Sequence, residues 1–286
     1  MSIAKIVAPV TGAKRDTQVL ATAFAVARPF GAHVVALFVK PDPRLALPYG
    51  GTPISPQVVQ DIIDAAEEMN RKAAKAARGA LADAARNAMV EIISPKEPKA
   101  PASCSFQETE GFFPVCVVQG SHLSDLIVFG PVTPADADIA EAFSETLKRT
   151  VRPVLLAPNV PQSFPGKVMV AWDGSDTAAR ALVNAVPVLE KAKEVILLSC
   201  TETKLSKGDV REAQQYLALH GISCTEQKVD ANKRSVGEAL LAAVSEAKAD
   251  LLIMGGYGHS QLGETIFGGV TQYVRMHANV PVLMVH

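Results

Sequence analysis

The sequence of residues 250–271 is DLLIMGGYGHSQLGETIFGGVT. An apolar run of strand length comes first, a glycine-rich stretch follows, and a helical pattern closes the segment. This order of strand, glycine loop and helix binds phosphate in open parallel sheets, because backbone N–H groups converge on the anion and the start of the helix adds its dipole. Gly258 follows Gly255 after two residues, and Gly268 follows after nine more. A GxxG pair alone is equally compatible with a tight turn after a buried strand.

A repeat organises the rest of the sequence around this segment. The pattern DLLIMG at 250–255 recurs as DLIVFG at 125–130, and VPVLM at 280–284 recurs as RPVLL at 152–156. Each half of the chain also opens with a short apolar strand pattern. The repeat indicates two domains of similar build.

The stretch between the repeats predicts the domain boundary. Residues 157–166 contain three prolines and end in glycine, which favours an extended linker over a packed element. We therefore predict a first domain over residues 1–158, a linker over 159–166 and a second domain over 167–286. These two domains are the first half and the second half of the chain.

Apolar runs of strand length alternate with helical patterns in the second half, which is the arrangement that builds βαβ units and a parallel sheet. The first half follows the same plan with an insertion. Residues 40–55 are rich in proline and glycine, and an alanine-rich helix is predicted over Gln57–Ala88. Phe112–Gln119 is predicted as a short helix, and no pattern places the third strand of this half. Both halves are therefore predicted to be α/β domains.

Composition limits the partners of the chain. There are 28 Lys and Arg residues against 29 Asp and Glu, so no excess of positive charge is available for a nucleic acid backbone. No apolar run reaches the roughly 20 residues that a membrane span needs, and no secretory signal is recognisable, so we expect a cytoplasmic protein without a membrane partner. The four cysteines form no CxxC pair, which indicates neither a disulfide framework nor a zinc site.

The complete glycine stretch is similar to the G-x2-G-x9-G-(Ser/Thr) signature of ATP-binding universal stress proteins. The resemblance continues in VAWDGS at 170–175 and EVILL at 194–198, so it covers nearly all of the second half. It covers the first half only through the order of elements and the closing strands. It implies two flavodoxin-like (adenine nucleotide alpha hydrolase-like) domains, each with five parallel strands in the order 3-2-1-4-5. It also implies an adenine nucleotide, ATP, ADP or AMP, with or without magnesium.

The resemblance assigns roles to particular residues of the second half. Asp173 helps to hold the nucleoside, the backbone at Cys200 contacts adenine, and three glycines of the loop approach ribose and phosphates. The family's Ser or Thr at the last signature position is Gly269 here, which removes one side-chain donor and leaves a backbone N–H. The implied nucleotide-binding residues are Ala171, Trp172, Asp173, Ser175, Cys200, Gly255, Gly256, Gly258, His259, Ser260, Gly268, Gly269, Val270 and Thr271.

Three polar residues of this set also have simpler interpretations. The hydroxyl of Ser260 or Thr271 is a candidate to replace the missing phosphate donor, and both residues are equally compatible with solvent-facing positions. His259 lies inside the glycine loop, where it could contact phosphate or face water. The six histidines of the chain show no HxxxH or His-Cys spacing, so no metal site is predicted.

The predicted function is a nucleotide-binding stress-response regulator with at most slow ATP hydrolysis. Hydrolysis needs a positioned water and groups that stabilise charge, and the sequence shows no Walker lysine, no GxSxG elbow and no nucleotidyl-transfer signature. The alternative is a structural or protein-interaction module of the same fold that binds no nucleotide, which the glycine at position 269 would allow.

The first half is predicted to be a non-binding partner of the second. Val10 is expected at the position of Asp173, and Pro131 and Pro134 follow the fourth strand, where prolines remove N–H donors. The resemblance implies that the closing strands at 152–157 and 280–286 pair antiparallel across a pseudo-twofold axis, so that one chain is equivalent to a family dimer. A further homodimer through the alanine-rich helix stays open.

Overall fold

The computed structural model describes residues 2–48, 55–94, 101–132, 136–161, 164–200, 210–230, 234–257 and 269–286, with the backbone alone at Cys200. The elements of the first half are β1 (Lys5–Val10), α1 (Asp16–Ala27), β2 (His33–Lys40), α2 (Pro56–Ala88), β3 (Glu91–Ile92), β4 (Ser103–Glu110), α3 (Phe113–Ser121), β5 (Leu126–Phe129), α4 (Ala137–Thr150) and β6 (Val154–Leu156). Those of the second half are β7 (Lys167–Trp172), α5 (Asp176–Leu189), β8 (Glu194–Cys200), α6 (Val210–Leu219), β9 (Thr225–Val229), α7 (Val236–Glu246), β10 (Leu251–Gly255), α8 (Gly269–His277) and β11 (Val282–Val285).

The described strands form one sheet in the order β3-β4-β2-β1-β5-β6-β11-β10-β7-β8-β9. Neighbouring strands within each half are parallel. Successive side chains of a strand point to opposite faces, and both faces are apolar: Val168 and Val170 belong to one buried cluster, and Met169 belongs to the other. The predicted α/β fold with helices on both faces is confirmed.

The two halves meet where β6 and β11 pair antiparallel, as predicted. Leu155 lies opposite Leu283, and both side chains are buried. These two leucines are also equivalent positions of the repeat, so the pseudo-twofold axis passes between them. Because all strands of one half run against those of the other, the carboxyl edges of the two half-sheets lie on opposite sides of the molecule.

The first half differs most from its prediction around its outer strands. Its described residues form six strands, because the strand that no pattern placed is β4, beside β2, and a two-residue strand, β3, lies outside it. Only the start of β4 is buried, so its sequence SCSFQETE lacks a regular apolar alternation. The predicted alanine-rich helix is confirmed as α2, and the short helix is confirmed as α3, one to two residues later than expected.

The described cysteines are free thiols. Cys104, Cys116 and Cys224 are not in disulfides, and burial raises the pKa of the Cys104 thiol to about 11, so this thiol stays protonated.

Among the described helices, none combines the length and the apolar content needed to cross a bilayer.

Candidate functional site

The candidate site lies at the carboxyl edge of the second half. Strand β7 is flanked by β8 on one side and β10 on the other, so the chain order reverses at β7. Open α/β sheets bind ligands in the crevice outside such a switch point. The turn from β7 to α5 and the glycine-rich segment after β10 both start at this crevice.

The turn after β7 is fixed by its own side chains. The backbone N–H of Ser175 donates to Asp173 Oδ1 at 2.9 Å, and Gly174 between them has φ +73°. Ser175 Oγ accepts from the N–H of Ala178 at 3.2 Å and caps α5. The carboxylate of Asp173 is therefore held beside the amino end of a helix.

Gly255 is required by a close approach between β10 and α5. A Cβ at this position would lie 2.7 Å from Thr177 Oγ1, 2.8 Å from the Thr177 carbonyl carbon and 2.9 Å from the Ala178 nitrogen. Two of these three atoms are backbone, which cannot move aside easily. The contact brings the start of the glycine segment to the same corner as the Asp173 turn.

The two ends of the glycine loop are tied together by Thr271. The N–H of Tyr257 donates to Thr271 Oγ1 at 3.3 Å, and both residues are buried. The interpretation of Thr271 as a solvent-facing residue is therefore wrong: its hydroxyl faces the interior and accepts from the loop backbone. Tyr257 adopts φ +61°, a conformation uncommon outside glycine. Of the predicted binding residues, Gly258, His259, Ser260 and Gly268 lie outside the described part of the chain.

The other predicted residues surround this corner. The pairing of Trp172 with Ser199 places Cys200 one residue further along β8, level with Asp173. Ala171 is half-buried on one face of the sheet, and Trp172 is buried in the core cluster of the other face. The indole N–H of Trp172 has no hydrogen-bond partner among the described residues.

The start of α8 is open. Gly269 is exposed, and a Cβ there would meet none of the described residues within 4 Å, while Val270 is half-buried. The space for a Ser or Thr side chain at this position is therefore present, although the side chain itself is not.

The first half forms a wall behind the glycine segment, which sequence reasoning missed. The hydroxyl of Tyr257 donates to Ser144 Oγ on α4 at 3.3 Å, and Lys148 Nζ lies 5.3 Å from the centre of the Tyr257 ring. A Cβ at Gly256 would lie 2.9 Å from Leu147. Burial raises the pKa of Tyr257, so its phenol stays neutral. No local pattern signals these contacts, because they join residues more than a hundred positions apart.

The fold and this corner define an open α/β protein in which the Asp173 turn and the end of β10 meet at the switch point of the second half. The model of the universal stress protein family matches residues 165–286. A curated universal stress protein of Mycobacterium tuberculosis is 28% identical over 138 residues, covering 42% of this chain and 94% of that protein. The family model thus matches the half of the chain for which the sequence resemblance is most specific.

Solved structures extend the likeness in fold to the whole chain. The crystal structure of a universal stress protein from Archaeoglobus fulgidus DSM 4304 is 19% identical, covers 98% of this chain and 95% of its own, and has a TM-score of 0.65. A universal stress protein solved in complex with cAMP is 24% identical and covers 42% of this chain and 97% of its own, with a TM-score of 0.34. The Archaeoglobus structure shows that the tandem arrangement of the two halves is a known fold. The cAMP complex matches only part of this chain.

Proposed function

We propose that the second half binds one adenine nucleotide, ATP, ADP or AMP, at the corner between β7 and β10, and that the chain acts as a nucleotide-responsive stress regulator. The observation that carries this proposal is the convergence of the Asp173 turn, the strand end at Gly255 and the loop closed by Thr271. The match of residues 165–286 to the universal stress protein family supports it.

Each part of the corner offers a contact suited to a nucleotide. One carboxylate oxygen of Asp173 accepts from Ser175, and a carboxylate is an acceptor suited to ribose hydroxyls. The amino ends of α5 and α8 add favourable dipoles for phosphate. The backbone N–H of Gly269, at the start of α8, takes the place of the family's hydroxyl donor.

Turnover of the nucleotide is proposed to be slow. The charged side chain that the described β7 turn brings to the corner is Asp173, whose carboxylate accepts from the Ser175 backbone. Phosphoryl transfer depends on positioned charge and a positioned water, so binding without rapid hydrolysis is the expected behaviour. The other candidate is an interaction module that binds no nucleotide, which the glycine at position 269 favours.

The proposal is tested by nucleotide release and by calorimetry. The purified chain is heated, the supernatant is analysed by chromatography, and the stripped protein is titrated with ATP, ADP and AMP. Asp173→Ala should weaken binding by about 10- to 100-fold, the loss expected for hydrogen bonds to a charged acceptor. Asp83→Ala, at an exposed position of α2, is the matched control and should bind as the parent does. Failure of all three nucleotides to bind would favour the interaction module.

A further inference from the structure

A cavity of about 490 Å³ lies at the carboxyl edge of the first half, where no binding site was expected. Its walls come from the turn after β1, the end of β2, the middle of α2, and the starts of α3 and α4. The position is the switch point of the first half, because β1 lies between β2 and β5. A cavity of this size falls within the range of small-molecule sites, roughly 300–1,000 Å³.

The cavity exists because α2 is longer than the sheet it covers. Its 33 residues span about 50 Å, whereas the 8 residues of β2 span about 26 Å. All fully buried residues of α2 lie from Ala77 onward, so the preceding part overhangs the edge of the sheet. Asn70 fixes the overhang by donating to the Pro41 carbonyl at 2.8 Å, and Gly12 lies directly beneath Ala73.

The overhanging part of α2 carries a half-buried apolar stripe. Half-buried apolar residues recur at the helical spacing of i, i+3, i+4 and i+7, at Val59, Ile62, Ile63 and Ala66. The same face continues into Ala73, which lines the cavity together with Phe38, Phe113 and Ile139. Most of the lining is therefore apolar.

The charges around the cavity disfavour a phosphate. The Asp16 carboxylate already accepts the N–H groups of Thr11 and Gly12, at 3.0 and 2.6 Å, so these donors are taken. Arg15 forms an ion pair with Asp136, and Asp138 lies at the rim. Among the residues that line the cavity, one guanidinium stands against two carboxylates, so an anionic ligand would meet net negative charge.

We propose that this cavity binds a small uncharged amphipathic molecule, with an apolar body under α2 and a polar head toward the Arg15–Asp136 pair. The proposal is independent of nucleotide binding, because the two half-sheets have their carboxyl edges on opposite sides of the molecule. The chain would then carry two different ligand classes, one in each half.

The test uses two fluorescent probes with the same body, N-phenyl-1-naphthylamine and its sulfonate, 8-anilino-1-naphthalenesulfonate. The full chain should bind the neutral amine saturably at one site, and the sulfonate at least about tenfold more weakly, a difference of about 1.4 kcal/mol. ATP should not displace the amine. Equal binding of the two probes, or no saturable binding of the amine, would overturn the proposal.

Variants of α2 locate the bound probe. Ala73→Phe fills the cavity and should abolish binding of the amine, whereas Ala76→Phe, on the exposed side of the same helix, should leave it unchanged. Met69→Trp, at the exposed rim, is a second filling variant with little effect on folding, checked by circular dichroism. Binding that survives both filling variants would place the probe elsewhere and contradict the assignment.

Discussion

The turns after β1 and β7 occupy equivalent places in the two halves and differ in what they do with their backbone N–H groups. Leu126 and Leu251 are equivalent in the repeat and pair with Ile6 and Val168, which makes Thr11 the counterpart of Asp173 and corrects the expectation that Val10 is. Gly12 and Gly174 are then equivalent, and both have positive φ.

The two turns differ in the aspartate that begins the helix after each of them. In the first half, Asp16 at the start of α1 reaches back and accepts from the turn, and its side chain is almost fully buried. In the second half, Asp176 at the start of α5 is exposed. An internal carboxylate can thus take the donors that an anionic ligand would use, without any change in the strand order.

In contrast, both halves have a glycine where the strand next to β1 or β7 ends: Gly130 after β5 and Gly255 at the end of β10. A Cβ at Gly130 would lie 2.8 Å from Val19 on α1, as a Cβ at Gly255 would clash with α5. Close packing of the strand end on the first helix of the same half therefore explains this glycine in both places. The inference of a nucleotide site in the second half rests on what surrounds Gly255, the Asp173 turn and the loop that follows, more than on Gly255 itself.

The largest expected effect concerns the glycine loop, which the first half lacks. Gly258→Val or Gly268→Val should reduce ATP affinity by more than about 100-fold, because a branched side chain fills the space that phosphates need. Gly79→Val, on α2 where a Cβ meets nothing within 4 Å, is the matched control. Unchanged titrations for the loop variants would mean that the loop is only a turn.

The next prediction compares how much stability the protein loses when each of the two strand-end glycines is replaced by alanine. Gly255→Ala should lower the free energy of unfolding by about 3 kcal/mol, and Gly130→Ala by about 1 kcal/mol. The reason is that the first clash is mainly with backbone and the second is with a side-chain methyl that can rotate. Urea unfolding of both variants measures the difference, and an equal loss would remove the distinction.

A smaller effect is expected at the start of α8. Gly269→Ser should strengthen ATP binding by about five- to tenfold, since it adds a hydroxyl donor where the Cβ has free space. AMP, with a single phosphate, should gain less. Calorimetry with both nucleotides checks this, and a loss of ATP affinity would show that this helix start does not face the phosphates.

The smallest effect contrasts the amino ends of β2 and β8. Lys167 pairs with Glu194 at 2.9 Å, whereas Lys5 has His33 beside it. Burial, and then the charge of Lys5, lower the pKa of His33, whose ring nitrogens contact Ser103 and Ser105. The folded state therefore binds fewer protons than the unfolded state, and stability should fall as pH drops below about 6.5 toward the folded pKa.

Substitution isolates this contribution. His33→Gln should flatten the stability curve below about pH 6.5, measured by urea unfolding at several pH values. A curve of unchanged slope would mean that groups other than His33 cause the loss of stability at low pH.

The sequence predicted the second half closely and the first half less well, for physical reasons. Strands such as β7 and β10 are buried on both faces and therefore continuously apolar, which makes them recognisable. Strand β4 is half exposed and polar, so its pattern resembles a loop. The pairing of Leu155 with Leu283 could be inferred because an open apolar edge needs a partner.

The parts of the site that sequence could not supply are those made by contacts between distant residues. The capture of turn donors by Asp16 depends on where α1 begins, and the contact of Tyr257 with Ser144 depends on how the halves dock. The cavity of the first half arises from the length of α2 relative to the sheet, which composition alone does not reveal.

Hydrogen–deuterium exchange with and without ATP tests most directly the claim that only the second half binds nucleotide. Saturating ATP should slow exchange in peptides covering 171–176 and 254–271, and leave peptides covering 8–16 and 128–139 unchanged. Protection of the first-half peptides to the same degree, or no protection anywhere despite bound ATP, would contradict the assignment of the site to the second half.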